Sequence, residues 1–220
     1  RLVVASSMSI YGEGLYRATD GQLVADAERT AQQLKRGIWD PLDESGRRLE
    51  AVATPESKAP SMRSVYALSK YDQERLCLVV GEAYDIPTVA LRFFNVYGPH
   101  QALSNPYTGV LAIFAARLLN DRPPLIFEDG EQRRDFVYVD DVAEACRLAL
   151  LSDAAVGHAL NVGSGASVSI KQAALLLGEA LGVPIEPEIT GECRIGDVRH
   201  CFPDIASARA LLGYQPRYAL

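Results

Sequence analysis

Tyr66 and Lys70 stand four positions apart in "SMRSVYALSKY" at 61–71, a stretch that reads as helix. On a helix, positions i and i+4 share a face, so the ammonium lies beside the phenol. A free phenol titrates at about 10 and is a poor base at neutral pH. A neighbouring cation favours the phenolate, and proton transfer works best when the pKa approaches the working pH. The pair therefore has the makings of a general base. The same spacing also occurs on ordinary solvated helix faces, so the surroundings must decide. A further hydroxyl, Ser7, ends the apolar run "RLVVASS" and precedes the turn "MSIYGEG". Ligands of open α/β sheets bind beyond the carboxyl ends of strands, where a serine can donate or accept.

The elements that must position these groups alternate in type. "RLVVASS" reads as a buried strand already in the middle of a sheet. Residues 13–60 show no clear period and form a long surface excursion, with a short helix expected at 22–35. A helix is expected from about Ser64 to Tyr84, with Leu68, Leu76, Val79, Val80 and Ala83 as its apolar stripe. "TVALRFF" at 88–94 is a strand, a helix follows around 108–120, and "LIF" at 125–127 is a short strand. "DFVYVDD" at 135–141 reads as a strand feeding a helix capped by Asp140 or Asp141. "ALNVGSG" at 159–165 is a strand and turn, and Ser169 with Gln172 forms a capping box for the next helix. Asp204 caps a last helix that Gly213 ends. This alternation implies an α/β fold with a mostly parallel sheet.

The totals exclude several function classes. The 220 residues carry a formal net charge of -6, so no affinity for nucleic acid or an anionic membrane surface is implied. No apolar run is long enough to span a bilayer. Cys77, Cys146, Cys193 and Cys201 form no C-x-x-C pair, which suggests reduced thiols and a cytoplasmic setting. With 3 histidines and no ligand spacing, no metal site is expected.

Together, Ser7, Tyr66 and Lys70 resemble the triad of the extended short-chain dehydrogenase/reductase family. "LRFFNVYGPHQ" (91–101), "FEDGEQRRDFVYVDDVAEA" (127–145), "LNVGSG" (160–165) and "GDVRHCFPDIASARALLGY" (196–214) resemble that family's nucleotide-sugar epimerases, in the same order. "SIYGEGLYR", "GIWDP", "TPESKAPSMRSVYALSK" and "NPYTGVLAIF" resemble dTDP-L-rhamnose 4-epimerases and close relatives. The resemblance implies a partial Rossmann-type doubly wound parallel sheet with a small α+β substrate-binding lobe. Residues 1–97 would be the C-terminal part of the NAD-binding domain, with the insert at 13–60. Residues 98–220 would be mainly the nucleotide-sugar lobe, with about 135–165 returning to the first domain. It implies NAD as cofactor, a nucleoside-diphosphate sugar as substrate, and a homodimer built on a four-helix interface that includes the Tyr66 helix.

The resemblance also implies roles. Tyr66 would be the base, Lys70 would lower its pKa and bond the nicotinamide ribose, and Ser7 would bond the same sugar oxygen. The main chain of Phe93 would lie by the nicotinamide. Asn95 would contact the substrate diphosphate, Arg134 and Arg194 would clamp it, and Phe127 would lie along the base. A guanidinium fork suits phosphate oxygens. Dehydratases of the family carry Asp-Glu immediately after the triad hydroxyl; here Met8 and Ser9 stand there and cannot titrate usefully. Epimerisation at C4 needs no additional titrating group, so transient oxidation to a 4-keto sugar is the expected reaction. A non-catalytic nucleotide-sugar-binding paralogue, a dehydrogenase/reductase and a dehydratase are the alternatives.

No three glycines have the spacing of a dinucleotide-binding turn; "GEG" at 12–14 and "GSG" at 163–165 read as plain turns. The family keeps that turn near its N-terminus, so this chain is expected to be the C-terminal part of a longer enzyme. The 220-residue segment by itself should neither bind NAD tightly nor turn over. Calorimetric titration with NAD checks this: micromolar binding by the purified segment overturns it.

Overall fold

The computed structural model describes residues 1–102, 109–183, 186–194 and 196–220. Its centre is three parallel strands, Leu2–Ser7, Thr88–Phe93 and Ala159–Val162, with Thr88–Phe93 in the middle. Ser7 lies opposite Phe93, and Phe93 opposite Val162, so the three carboxyl ends finish together. Val89, Ala90 and Leu91 are wholly buried, which is why the middle strand reads as an unbroken apolar run. On one face, the helices Val139–Leu151 and Ala206–Leu212 close a core around Val89, Leu91, Leu160, Val162 and Tyr214.

The other face carries the helix Val65–Ala83, which starts where Ser64 Oγ accepts the N–H of Ala67 at 3.1 Å. Its buried residues are Ala67, Glu74 and Gly81, one every seventh position. The expected stripe of Leu68, Leu76, Val79, Val80 and Ala83 is instead exposed. Two small residues let this helix approach the sheet closely. A Cβ on Gly81 would stand 2.3 Å from Thr88 Oγ1. Between them, Glu74 takes a fork from Arg92 (Nε to Oε2 3.0 Å, Nη2 to Oε1 2.7 Å) and a 2.6 Å bond from Ser6 Oγ. A buried ion pair, not an apolar stripe, orients the helix.

The excursion folds as a small antiparallel sheet, with Leu15–Arg17 between Leu23–Val24 and Glu50–Val52. Helix is confined to Ala31–Lys35, not 22–35 as the sequence suggested. Asp20-Gly21 makes a hairpin turn, with Gly21 at φ +90° and Ala18 N–H bonded to Gln22 O at 2.8 Å. Thr30 then caps the short helix through Gln33 N–H.

The remaining lobe combines the helices Val110–Leu118 and Ile170–Leu181 with short strand pairs. The helix expected around 108–120 thus begins at Val110; position 108 lies outside the described residues. Ser169 caps its helix through Gln172 N–H as the sequence implied, and Gly213 at φ +67° ends the last helix. Asp204 Oδ1 accepts Ala206 N–H at the start of that helix. Asp140 and Asp141 do not cap: they lie inside the first turn of Val139–Leu151, which has no side-chain cap. Asp141 is buried and accepts the N–H groups of Arg217 and Tyr218, tying down the C-terminal tail. All four cysteines are free thiols, and among the described residues no helix is long and apolar enough to cross a membrane.

Buried charge holds the excursion to this lobe. Arg199 has no exposed side chain and donates to Asp40 (3.0 Å), Glu128 (2.9 Å) and both oxygens of Asp129 (2.6 and 2.9 Å). Glu13 accepts the backbone N–H of Arg199 at 2.7 Å. His200 Nδ1 accepts Arg133 N–H, so its proton sits on Nε2 and is donated to Asp40 at 2.8 Å. Burial pushes the His200 imidazole below its ordinary range, against the pull of Asp40. Burial works to raise Asp40, but hydrogen bonds from His200 and Arg199 hold its carboxyl well below the usual carboxylate range.

Two outcomes follow from these contacts. Glu74→Ala leaves Arg92 buried and unpaired and should cost about 3–5 kcal/mol in denaturant unfolding. The double replacement Glu74→Met with Arg92→Met should cost less; a single-variant loss under about 1 kcal/mol would mean the pair does not lock the helix. The second outcome concerns pH. His200 has a depressed folded pKa, so the unfolded chain binds the extra proton, and stability is lost as pH falls from about 6.5 through the folded value. The loss from Asp40 begins lower, below about 4, as pH falls toward its depressed folded value. Melting temperatures between pH 7.5 and 4.5 should show a shallower slope for His200→Gln; an unchanged slope would contradict the neutral buried imidazole.

Candidate active site

The strand Leu2–Ser7 ends in Ser7, whose Oγ accepts from Ser9 N–H at 3.2 Å and Ser9 Oγ at 3.0 Å. Ser7 thereby caps the single 3-10 turn Met8–Tyr11, and its own O–H remains available as a donor. Gly12 closes that turn at φ +62°, and a Cβ there would stand 2.5 Å from Ser61 O. Ser61 N–H in turn bonds Ile10 O at 2.8 Å. The lead-in to the Tyr66 helix is therefore docked directly on the turn that Ser7 opens.

Lys70 Nζ donates to Ala5 O at 3.1 Å and to Gln73 Oε1 at 3.2 Å, which ties the helix to the strand two residues before Ser7. Tyr66 is half exposed. Ser7, Tyr66, Lys70, Phe93 and Asn95 border one cleft of about 490 Å³ beyond the carboxyl ends of the first two central strands, with Leu111 on its far wall. Asn95 Oδ1 is buried there with no hydrogen-bond partner among the described residues, which suits a polar ligand. The motif segment Asn105–Thr108, near this cleft in sequence, lies outside the described residues, as does Ile195 of "CRIGD".

Behind the cleft, Arg92 Nη1 donates to Tyr11 Oη at 2.8 Å, and Tyr11 Oη donates to Asn161 Oδ1 at 2.7 Å. Burial pushes the Tyr11 phenol far above its ordinary value, although Arg92 pulls the other way. Tyr16 is shifted the same way by burial beside Glu13. Two phenols border the cleft: Tyr97 donates its O–H to Ala219 O at 3.1 Å and is pushed above its ordinary value by burial, whereas Tyr66 is half exposed. Asp135 holds the "GSG" turn by accepting from Ser164 N–H, Ser164 Oγ and Gly165 N–H at 2.7, 2.9 and 2.8 Å. Burial outweighs these bonds and pushes its carboxyl up to about 6.

The other residues named from the sequence fall outside that cleft's lining. Phe127 and Arg194 form a stacked pair, with the guanidinium carbon 4.0 Å from the ring centre. Arg134 donates to the carbonyls of Arg133 and Arg199 at 2.9 and 3.0 Å, and also to that of Val198. It therefore fixes the 198–199 backbone in this structure. Val198 packs on the cluster of Ile10, Tyr11, Phe94 and Cys201, together with Met8 at the edge of the cleft. The arginine-bearing segment thus runs beside the catalytic turn.

Sequence reasoning missed Ser9, Glu74, Arg92 and Glu13. Arg92 left a signal, since a charge inside "TVALRFF" must find a partner if the strand is buried. Glu74 carried a weaker one, lying one turn beyond Lys70 on the same helix. Ser9 and Glu13 carried none.

These elements and their arrangement are those of a known family. Residues 45–163 match the NAD dependent epimerase/dehydratase family. The chain is 36% identical over 224 aligned positions to dTDP-L-rhamnose 4-epimerase of Burkholderia thailandensis, covering 100% of this chain and 59% of that relative. It is 37% identical over 172 positions to UDP-glucose 4-epimerase of Mycolicibacterium smegmatis, covering 77% of this chain and 53% of the relative. The solved structure of UDP-glucuronic acid 4-epimerase from Bacillus cereus, in complex with UDP-glucuronic acid and NAD, superposes with a TM-score of 0.74 at 26% identity. That match covers 99% of this chain and 56% of the other. The chain spans somewhat more than half the length of these relatives. Its fold is the α/β, Rossmann-type fold of these epimerases, and the cofactor of the group is NAD. The chain belongs to the NAD dependent epimerase/dehydratase family.

Proposed function

We propose that this chain forms the catalytic and nucleotide-sugar-binding part of an NAD-dependent nucleoside-diphosphate-sugar 4-epimerase. The observation that carries the reading is the convergence of Ser7, Tyr66, Lys70, Phe93 and Asn95 on one cleft at the carboxyl ends of the parallel strands. The nicotinamide-end residues Tyr66, Lys70 and Phe93 fit a cofactor placed there. No glycine-rich pyrophosphate turn is among these 220 residues.

Bound NAD supplies the hydride acceptor and, later, the hydride donor. Tyr66 takes the proton of the C4 hydroxyl as the C4 hydride departs, and Ser7 donates its O–H to the same oxygen. Lys70, held against Ala5 O, brings its ammonium to the cleft that the phenol also borders. After the sugar has turned over in the cleft, Tyr66 would return the proton to the same oxygen, the bound cofactor supplying hydride to the opposite face. Ser9 is spent on orienting Ser7 and Met8 cannot titrate, so the acid and base that water elimination requires are missing at those positions.

Asn95 and Arg194 serve the diphosphate, with Phe127 along the base. Arg134 joins them only by exchanging its carbonyl partners for phosphate oxygens. The match at 36% identity along the whole of this chain, though only 59% of the relative, favours dTDP-L-rhamnose as substrate. The exposed Leu76, Val79 and Tyr84 on the Tyr66 helix support a homodimer, and the four unpaired thiols support a cytoplasmic setting.

The test uses the full-length enzyme with dTDP-L-rhamnose and UDP-glucose, following epimer formation by NMR and NADH by absorbance. Epimer without net NADH is expected, and Tyr66→Phe should lower kcat by about 10²–10⁴-fold. Net NADH would point to a dehydrogenase. Undiminished activity in Tyr66→Phe would remove the tyrosine from the mechanism.

A further inference from the structure

Residues of the 13–60 excursion supply no proton-transfer group to the cleft, yet one of them reaches the nucleotide end of the site. Arg29 is almost wholly buried, and its guanidinium makes three hydrogen bonds at once. Nη1 donates to Glu128 Oε1 at 2.5 Å and to Trp39 O at 3.1 Å; Nη2 donates to Asp197 O at 2.7 Å. Glu13 Oε1 stands 3.7 Å from its Nε.

Two of these partners adjoin the stacked pair. Glu128 follows Phe127 in the chain and sits at φ +56°, a left-handed conformation uncommon for a side chain of its size. It persists because its carboxylate is held from two sides, by Arg29 and by Arg199, while its N–H bonds Glu192 O at 2.7 Å. Asp197 N–H closes a turn on Arg194 O at 3.2 Å, and Asp197 O is the atom Arg29 holds. One arginine therefore anchors the backbone beneath Phe127 and the far end of the turn that carries Arg194. With both anchors fixed, the guanidinium of Arg194 is set over the Phe127 ring. A second ion pair of the excursion, Arg17–Glu50, is solvent-exposed and shares no hydrogen bond with Arg29, Glu128 or Asp197.

We infer that Arg29 is a positioning residue for nucleoside-diphosphate binding, and that the excursion serves to assemble the Phe127–Arg194 stack rather than to take part in proton transfer. The inference rests on the reading of Phe127 and Arg194 as nucleotide-binding residues given above.

The experiment measures binding of UDP and dTDP to the full-length enzyme by calorimetry, with NAD affinity and melting temperature as parallel readouts. Arg29→Met should weaken nucleoside-diphosphate binding by about tenfold, the loss expected when one charge-assisted contact no longer sets the geometry, with NAD affinity within about twofold. Arg29→Lys can still reach Asp197 O and Glu128 and should restore part of the loss; it also serves if the methionine variant does not fold. Glu50→Gln, which removes only the exposed pair with Arg17, should leave binding unchanged. Unchanged nucleoside-diphosphate affinity in a folded Arg29 variant overturns the inference. So does an equal fall in nucleotide and NAD affinity, since that marks a purely structural role. A wild type that binds UDP or dTDP but epimerises no sugar defeats the reaction proposed above and leaves this inference standing. An epimerising wild type with an indifferent Arg29→Met does the reverse.

Discussion

The cleft bordered by Ser7, Tyr66 and Lys70 depends on the buried pair of Glu74 and Arg92. Taking two charges out of water costs several kcal/mol per ion unless geometry and further hydrogen bonds offset it. Here they do. Glu74 receives two bonds from Arg92 and one from Ser6, and Arg92 Nη1 continues to Tyr11 Oη and Glu56 O. An apolar contact tolerates sliding; a forked ion pair with its outer atoms also bonded admits one arrangement. Ser6 is the neighbour of Ser7, Tyr11 ends the turn Ser7 opens, and Glu74 lies one helical turn beyond Lys70. The pair thus fixes the strand, the turn and the helix that bring the triad to one cleft.

A second set of buried charges governs the other end. Glu13, Arg29, Asp40, Glu128, Asp129, Arg199 and His200 form a continuous seam between the excursion and the lobe. The two sets meet at the catalytic turn: Tyr11 belongs to the first and Glu13, two residues later, to the second. Side chains on successive residues of one turn therefore relay position from the central sheet to the segment bearing Arg194. The cleft and the Phe127–Arg194 stack are held by separate networks that share a short piece of backbone.

Much of the fold was legible because its signals are local. Ser64, Thr30 and Ser169 cap helices through side-chain bonds to the third residue on, and Gly213 ends one in the left-handed conformation. Three of these ends, at Ser64, Ser169 and Gly213, were read correctly. The helix at 22–35 was overextended because the Asp20-Gly21 hairpin signal was passed over. The helix face was misread for a different reason. Hydrophobic periodicity assumes that a helix buries its apolar residues, whereas Val65–Ala83 buries Ala67, Glu74 and Gly81. Arg134 was assigned to phosphate by its type alone, and only folding shows which carbonyls it meets first.

What the sequence determined by itself was the order of the central strands and main helices, and the chemistry available from Ser7, Tyr66 and Lys70, since capping, turn formation and i,i+4 spacing act within a few residues. The tertiary structure decided which helix face is buried, what holds the turn that Ser7 opens, and what the excursion packs against. Glu13 meets Arg199, and Arg29 meets Asp197, across separations of 186 and 168 residues. Contacts closed over so long a span leave no periodic or compositional trace, because Glu13 and Arg29 look like ordinary surface charges until folding buries their side chains against distant backbone.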